Sequence, residues 1–285
     1  MVFLLALGSA VLYGAGDFTG GLATRRAGTI PVVFLSQLSG LLMLALLLPL
    51  LPHSMPTQAD LLWGACAGLS GGIGVALLYR ALAIGIMAVV APTTAVCAVA
   101  IPVLVSVFLG ERPVPLAVAG IALGVVSIVL VSRQQTAAPT ARSASREQPT
   151  GIGTALASGV AIGFFFLALA QTRSEAGMWP LLVARSASVT LFGLTALATK
   201  QSLRMPASTL ALAGVCGVID MSANALYLLA AQRGPLSLVV TLSSLYPAST
   251  VLLARIVLSE RLNRWQLTGV GCALAAVLLI VTGGQ

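Results

Sequence analysis

Apolar runs of membrane-crossing length follow one another along almost the whole chain, separated by short clusters of polar and turn-forming residues. About 30 Å of hydrocarbon needs roughly 20 helical residues at about 1.5 Å each. Ten stretches meet that demand, at roughly 2–23, 30–51, 59–82, 86–109, 114–132, 151–172, 179–198, 207–231, 236–258 and 264–282. Connections such as Pro52 to Pro56, Gly110 to Pro113 and Arg233 to Pro235 are short, which predicts antiparallel neighbours. The first run has no basic leader and continues through Gly14 and Asp17, so it reads as a span and not as a secretory signal.

The pattern repeats at an offset of 149 residues. Residues 1–132 laid on 150–281 superpose Gly14 on Gly163, Gly28 on Gly177, Pro31 on Pro180, Gly85 on Gly234, Glu111-Arg112 on Glu260-Arg261 and Gly120 on Gly269. Matches among Ala, Leu and Val come cheaply in so apolar a chain; matched Gly, Pro and Glu-Arg do not. The predicted architecture is an all-α integral membrane protein of ten transmembrane helices, arranged as two inverted five-helix repeats over 1–132 and 150–285. The extended polar stretch 133–149 reads as a linker. Five spans per repeat place corresponding helix ends on opposite faces, an arrangement that serves alternating access.

Composition agrees: 58% of residues are hydrophobic and 8% charged, against about 25% charged in soluble domains. The net charge of +8 is assigned to residues flanking the spans, with no nucleic-acid partner expected. Loops after odd-numbered spans hold Arg25, Arg26, Arg80, Arg133, Arg142, Arg146, Lys200, Arg204, Arg255, Arg261 and Arg264, whereas those after even-numbered spans hold Arg112, Arg173 and Arg233. On the positive-inside rule both termini lie outside the cytoplasm. Cys66, Cys97, Cys216 and Cys272 lie within spans, and His53 is the one histidine, so neither a metal site nor a disulfide is expected.

Lipid removes the usual hydrophobic drive between helices, so small residues should mark the contacts. Span 3 presents Gly64, Gly68, Gly72 and Ala76 on one face, and Gly120 with Gly124 repeats as Gly269 with Ala273. Polar groups at mid-depth are costly unless paired or hydrated, so they mark the candidate site. Asp220, Asn224 and Tyr227 share a face of span 8, and Arg185 lies at a depth in span 7 from which it can reach Asp220. That pair is either a structural bond or a clamp for which a substrate carboxylate or phosphate competes. Asp17, between glycines in span 1, is either a proton-coupling carboxyl or an interfacial acid paired with Arg25 or Arg26. Gln37, Tyr79, Gln171 and Tyr246 are candidate cavity-lining residues, and Trp63, Trp179 and Trp265 candidate interfacial anchors. Pro92, Pro102 and Pro247 are expected to interrupt spans 4 and 9. Asn263 with Gln266 reads as a capping box for span 10, so the Glu260-Arg261 corner is first a helix-start device, with a gating role as the other reading.

With those residues laid out, the chain resembles the drug/metabolite transporter superfamily, in its branch of ten-span proteins with two EamA-type repeats. The resemblance rests on Gly110-Glu111-Arg112 and Ser259-Glu260-Arg261, the glycines Gly120 and Gly269, Pro102, Arg185 after Pro180, and Gly16-Asp17-Phe18 followed by Gly20-Gly21. It implies a secondary transporter that exports or exchanges small organic solutes such as amino acids, other metabolites or drugs, coupled to protons or a counter-substrate. It further implies a bacterial inner-membrane protein in the lipid bilayer, monomeric or homodimeric, with no enzymatic activity and no cofactor. Such proteins are described with both termini cytoplasmic, against the Lys/Arg count.

The one-sided Arg185, which faces Ser36 in the first repeat, makes the two half-sites unequal. Two other classes were weighed. A channel or non-transporting membrane protein is disfavoured by the lack of a ring of like charges. An intramembrane aspartyl protease is suggested by Gly14-Ala15-Gly16-Asp17 with Asp220, but the Tyr-Asp and Pro-Ala-Leu elements of such enzymes are missing.

Overall fold

In lipid every backbone N–H and C=O must find its partner within the protein, and the helix does this segment by segment. A computed structural model describes residues 1–51, 54–108, 114–132, 151–231, 233, 239, 242–260 and 262–283. Among them are ten α-helices and no strand: α1 (Val2–Ala27), α2 (Thr29–Leu47), α3 (Gln58–Ile84), α4 (Met87–Phe108), α5 (Pro115–Ser132), α6 (Ile152–Ala170), α7 (Trp179–Ala198), α8 (Ala207–Ala231), α9 (Tyr246–Val257) and α10 (Arg264–Gly283). Eight are long and apolar enough to cross a membrane; α5 and α9 carry shorter apolar stretches. The expected N-terminal part of span 9 falls largely outside the described residues, as do the Gly110-Glu111-Arg112 corner, His53 and the linker.

The repeat is visible in the backbone. Gly28 and its equivalent Gly177 both take positive φ, 82° and 55°, at the turns that lead into α2 and α7. Such a conformation suits glycine because a Cβ would clash with the backbone. Pro31 and Pro180 follow in the first helical turn, where a missing N–H costs no intrahelical bond. None of the three prolines interrupts a described helix, contrary to expectation: Pro92 and Pro102 lie inside a continuous α4, and Pro247 does not break α9. It occupies the first turn, where its fixed φ helps to start the helix.

Helix ends confirm the alternating topology. Arg25, at the end of α1, donates to the carbonyls of Leu82 (3.1 Å) and Gly85 (3.2 Å) at the end of α3, while Met87 and Ala88 at the start of α4 donate to the Glu260 carboxylate (3.1 and 3.0 Å) ahead of α10. At the other face, Arg173 after α6 meets Asp60 at the start of α3.

Sequential helices are antiparallel, yet they are not the main packing partners. The extensive contacts cross between repeats: α1 with α8, α3 with α6, α3 with α7, α2 with α8, α4 with α6, α1 with α9, and α5 with α10. Each of the first six has its inverted counterpart among the others. The reason lies at the glycines. Gly64 and Gly68 of α3 lie against the backbone of Pro180 and Ala184 of α7, and Gly72 against Ser188. Gly217, the repeat equivalent of Gly68, lies against the Ser36 carbonyl of α2. Gly14 touches Ser249 and Thr250 of α9, and its equivalent Gly163 touches Ile101 of α4. Hydroxyls bond carbonyls across these seams: Ser188 to Gly68 (2.7 Å), its equivalent Ser39 to Gly214 (3.0 Å), and Thr250 to Gly14 (3.1 Å). Backbones can approach so closely only where side chains are absent.

A substitution contrast tests this packing. Gly68→Leu or Gly217→Leu is expected to lower stability by about 1–3 kcal/mol or more through overpacking, or to prevent accumulation of folded protein. Gly271→Ala, at a helical glycine with open space around it, should be neutral or gain up to roughly 1 kcal/mol from helix propensity. Thermal unfolding in detergent separates the two classes.

Candidate functional site

The polar groups of the sequence converge at one place in the bundle interior. Arg185, about two turns into α7, donates from Nη2 to the Asp220 carboxylate of α8 and from Nη1 to Oε1 of Gln37 in α2. Three helices are thus joined through one planar guanidinium, which presents several donors in fixed directions. The Arg185 side chain is 12% exposed and that of Asp220 26% exposed, although Asp220 sits at mid-length of a 25-residue helix packed on α1 and α2.

α1 passes close to α8 at this point: a Cβ at Gly16 would stand 3.6 Å from the Asp220 Cβ, an ordinary packing contact. Asp17, the next residue, is half-buried, makes no ion pair among the described residues, and lies within electrostatic reach of Asp220. Pairing of Asp17 with Arg25 or Arg26 is absent among the described residues, and Arg25 instead meets Glu260 (3.8 Å) and the end of α3. Tyr79, Tyr246 and Cys216 share Asp17's electrostatic neighbourhood. The Tyr79 hydroxyl meets the Cys216 thiol at 3.2 Å, that thiol reaches the Gly16 carbonyl at 3.3 Å, and the Tyr79 ring lies on Gly20.

Not every expected residue joins the cluster equally. Asn224 turns its amide back to the Asp220 carbonyl of its own helix (2.8 Å), which satisfies it locally. Tyr227 packs towards Ala6, Ala230 and Val239, nearer the α1 start. Gln171 is exposed at the end of α6, outside the cluster, because the helix terminates there. Trp63 and Trp265 are exposed near helix ends, as interfacial anchors require.

Sequence reasoning missed Tyr13, whose ring meets that of Tyr246 edge-on at 6.3 Å and which feels both Asp220 and Arg185. It also missed Asp60, which is 1% exposed and held by Thr57 in a capping box and by Arg173 through Nε (3.2 Å), Nη2 (2.9 Å) and the backbone N–H (3.0 Å). Those bonds raise the Arg173 guanidinium above its ordinary value. Thr57-x-x-Asp60 ahead of an apolar run was the available signal. The Glu260 corner is more than the start of α10: the Asn263–Gln266 bond is present (3.0 Å), but Glu260 itself caps α4.

The symmetry mate of this cluster is closed. Gly16 faces Asp220 in one half; the equivalent contact in the other half is Phe165 facing Gly71. Phe165 packs with Ala67, Ala168 and Ala184, and its ring neighbours that of Phe166, the equivalent of Asp17, at 5.5 Å. One scaffold thus sets a glycine beside a carboxylate on one side and an aromatic ring on a glycine on the other. Asp220 also carries a guanidinium partner, which differs from the proton-sharing carboxyl pair that aspartyl proteolysis requires.

Breaking a buried ion pair from one side strands the other charge, at about 3–5 kcal/mol. Arg185→Met and Asp220→Leu should therefore each lower thermal stability more than the double substitution does, with a double-mutant cycle in detergent as the measurement.

The comparisons with known proteins agree with this architecture. No curated protein matches the chain. A solved structure described only as the crystal structure of a protein covers 98% of this chain and 96% of its own, with a TM-score of 0.61 at 19% identity, a likeness of fold. The EamA-like transporter family model matches residues 1–133 and again 149–282. The two matches divide the chain where its helices divide into repeats, and the protein belongs to the EamA-like transporter family.

Proposed function

We propose that the protein is a secondary carrier, exporting or exchanging small organic solutes such as amino acids, related metabolites or drugs by alternating access. The observation that carries this reading is the Arg185 bridge. A cation at mid-depth binds groups from both repeats, Gln37 from the first and Asp220 from its own, near Asp17, which has no ion pair among the described residues. A substrate that brings a carboxylate or phosphate competes with Asp220 for the guanidinium fork. Tyr79, Tyr246, Asn224 and Tyr227 shape the surroundings.

Asp17 is the proton-coupling candidate, since a carboxyl without a cationic partner next to Asp220 can exchange a proton as the cavity is filled and emptied. Residues 1–132 and 150–285 serve as the two halves that move, joined by 133–149. No step uses a cofactor or makes covalent chemistry. The protein acts in a bacterial inner membrane as a monomer or homodimer.

Two assays in proteoliposomes test the reading. Counterflow of a labelled solute should fall at least about tenfold, a loss of roughly 1.4 kcal/mol, in Asp220→Asn and Arg185→Ala when rates are normalised to folded protein. Wild-type exchange in both would remove these residues from the site, and absence of counterflow in the parent protein would point to a channel. Asp17→Asn should retain solute exchange but lose the stimulation of uptake by a pH gradient; full retention of that stimulation would remove the coupling role.

A further inference from the structure

Away from the Arg185 cluster, a cavity of about 460 Å³ opens at the far end of the bundle, lined by Arg255, Ser259, Glu260, Leu262 and Leu267. It occupies the corner between the last turn of α9 and the first turns of α10, at the membrane face onto which Arg25, Arg26 and Arg264 also open. We propose that this corner is a binding site for the headgroup of an anionic phospholipid.

The charge of the corner is the first argument. Glu260 is the one acid in the lining, and its carboxylate is already occupied: it accepts from the amides of Met87 (3.1 Å) and Ala88 (3.0 Å) at the start of α4 and stands 3.8 Å from Arg25. A helix N-terminus and a guanidinium together neutralise it. Arg255 is exposed and has no ion pair or hydrogen bond among the described residues, and the Ser259 hydroxyl likewise has no partner among them. What remains available to a ligand is therefore a cation and a hydroxyl, the donor set that suits a phosphate. Ser259 is held there by a positive φ of 53°, which folds the chain back sharply after α9 and turns the corner into a concave seat.

The second argument is the surface around it. Leu252, Ile256 and Val257 of α9 and Trp265 and Leu267 of α10 are all strongly exposed around the corner, with Leu252 one helical turn deeper than Ile256. An Arg at the end of such an apolar face extends towards the headgroup level, where Trp also settles. A free phosphate would gain only the polar seat; a phospholipid would gain the seat and cover the apolar flank with its acyl chains. Basic pockets between transmembrane helices are a recurrent form of headgroup recognition. Because Glu260 ties this same corner to α1 and α4, a bound lipid would also brace the junction of the two repeats.

The test is native mass spectrometry of the delipidated full-length protein with phosphatidylglycerol, phosphatidylcholine and inorganic phosphate in separate titrations. Phosphatidylglycerol is expected to be retained and to raise thermal stability, phosphatidylcholine to bind at least about fivefold more weakly, as loss of one favourable charge interaction implies, and phosphate to have no effect at equal concentration. Arg255→Ala should erase the preference between the two lipids, and Arg255→Lys should keep most of it. Equal binding of both lipids by the parent protein, an unchanged preference in Arg255→Ala, or stabilisation by phosphate alone would each overturn the proposal. None of these outcomes bears on the carrier assignment, since Arg255 takes no part in the Arg185 cluster.

Discussion

The constraint on which this structure depends is that lipid tails are as apolar as the helices themselves. Burial of leucine cannot hold such helices together, so cohesion passes to dispersion contacts at close range and to hydrogen bonds. Both need the backbone surface to be bare. Gly68 against Ala184 and its inverted counterpart Gly217 against Ser36 are the clearest cases, each paired with a serine hydroxyl, Ser188 or Ser39, that bonds a carbonyl of the facing helix. Since these seams run between repeats, neither half has a complete packing surface alone.

Much of this frame was legible in the chain. Glycines and prolines that must occupy a turn or a close contact survive alignment at the 149-residue offset, and Gly28 with Gly177 shows why: both bear positive φ at the same turn. The stripe of Gly64, Gly68 and Gly72 announced a smooth helix face. It could not announce which helix lies there, because helical spacing describes one helix and not its neighbour. Short connections predicted antiparallel neighbours in sequence, but the extensive packing across the repeats had to come from the assembled structure.

The site was legible in part, on the same logic of scarcity. Few charges lie deep in the spans, and a deep charge must be paired or hydrated, so Arg185 and Asp220 found each other. Gln37 followed from depth alone. Asn224 did not, because an amide can satisfy itself one turn back on its own helix, an option that spacing cannot distinguish from facing a cavity. Asp60 with Arg173 and Glu260 with α4 are bonds between distant helix ends, and only the assembled topology brings them within reach.

An inverted repeat would by itself place equivalent residues on either side of α2 and α7. Here one side has Phe165 over Gly71, where the other has Gly16 beside Asp220. The substitution of bulk for charge has two effects at once. It removes a second polar group that would need its own partner in the membrane interior, and it gives the guanidinium of Arg185 one carboxylate, that of Asp220, to bind. The ion pair also lies where α2 and α7, equivalent helices of the two repeats, touch each other. The guanidinium therefore ties α2 of the first repeat to α7 and α8 of the second, so one side chain serves both the buried charge pair and the seam between the repeats.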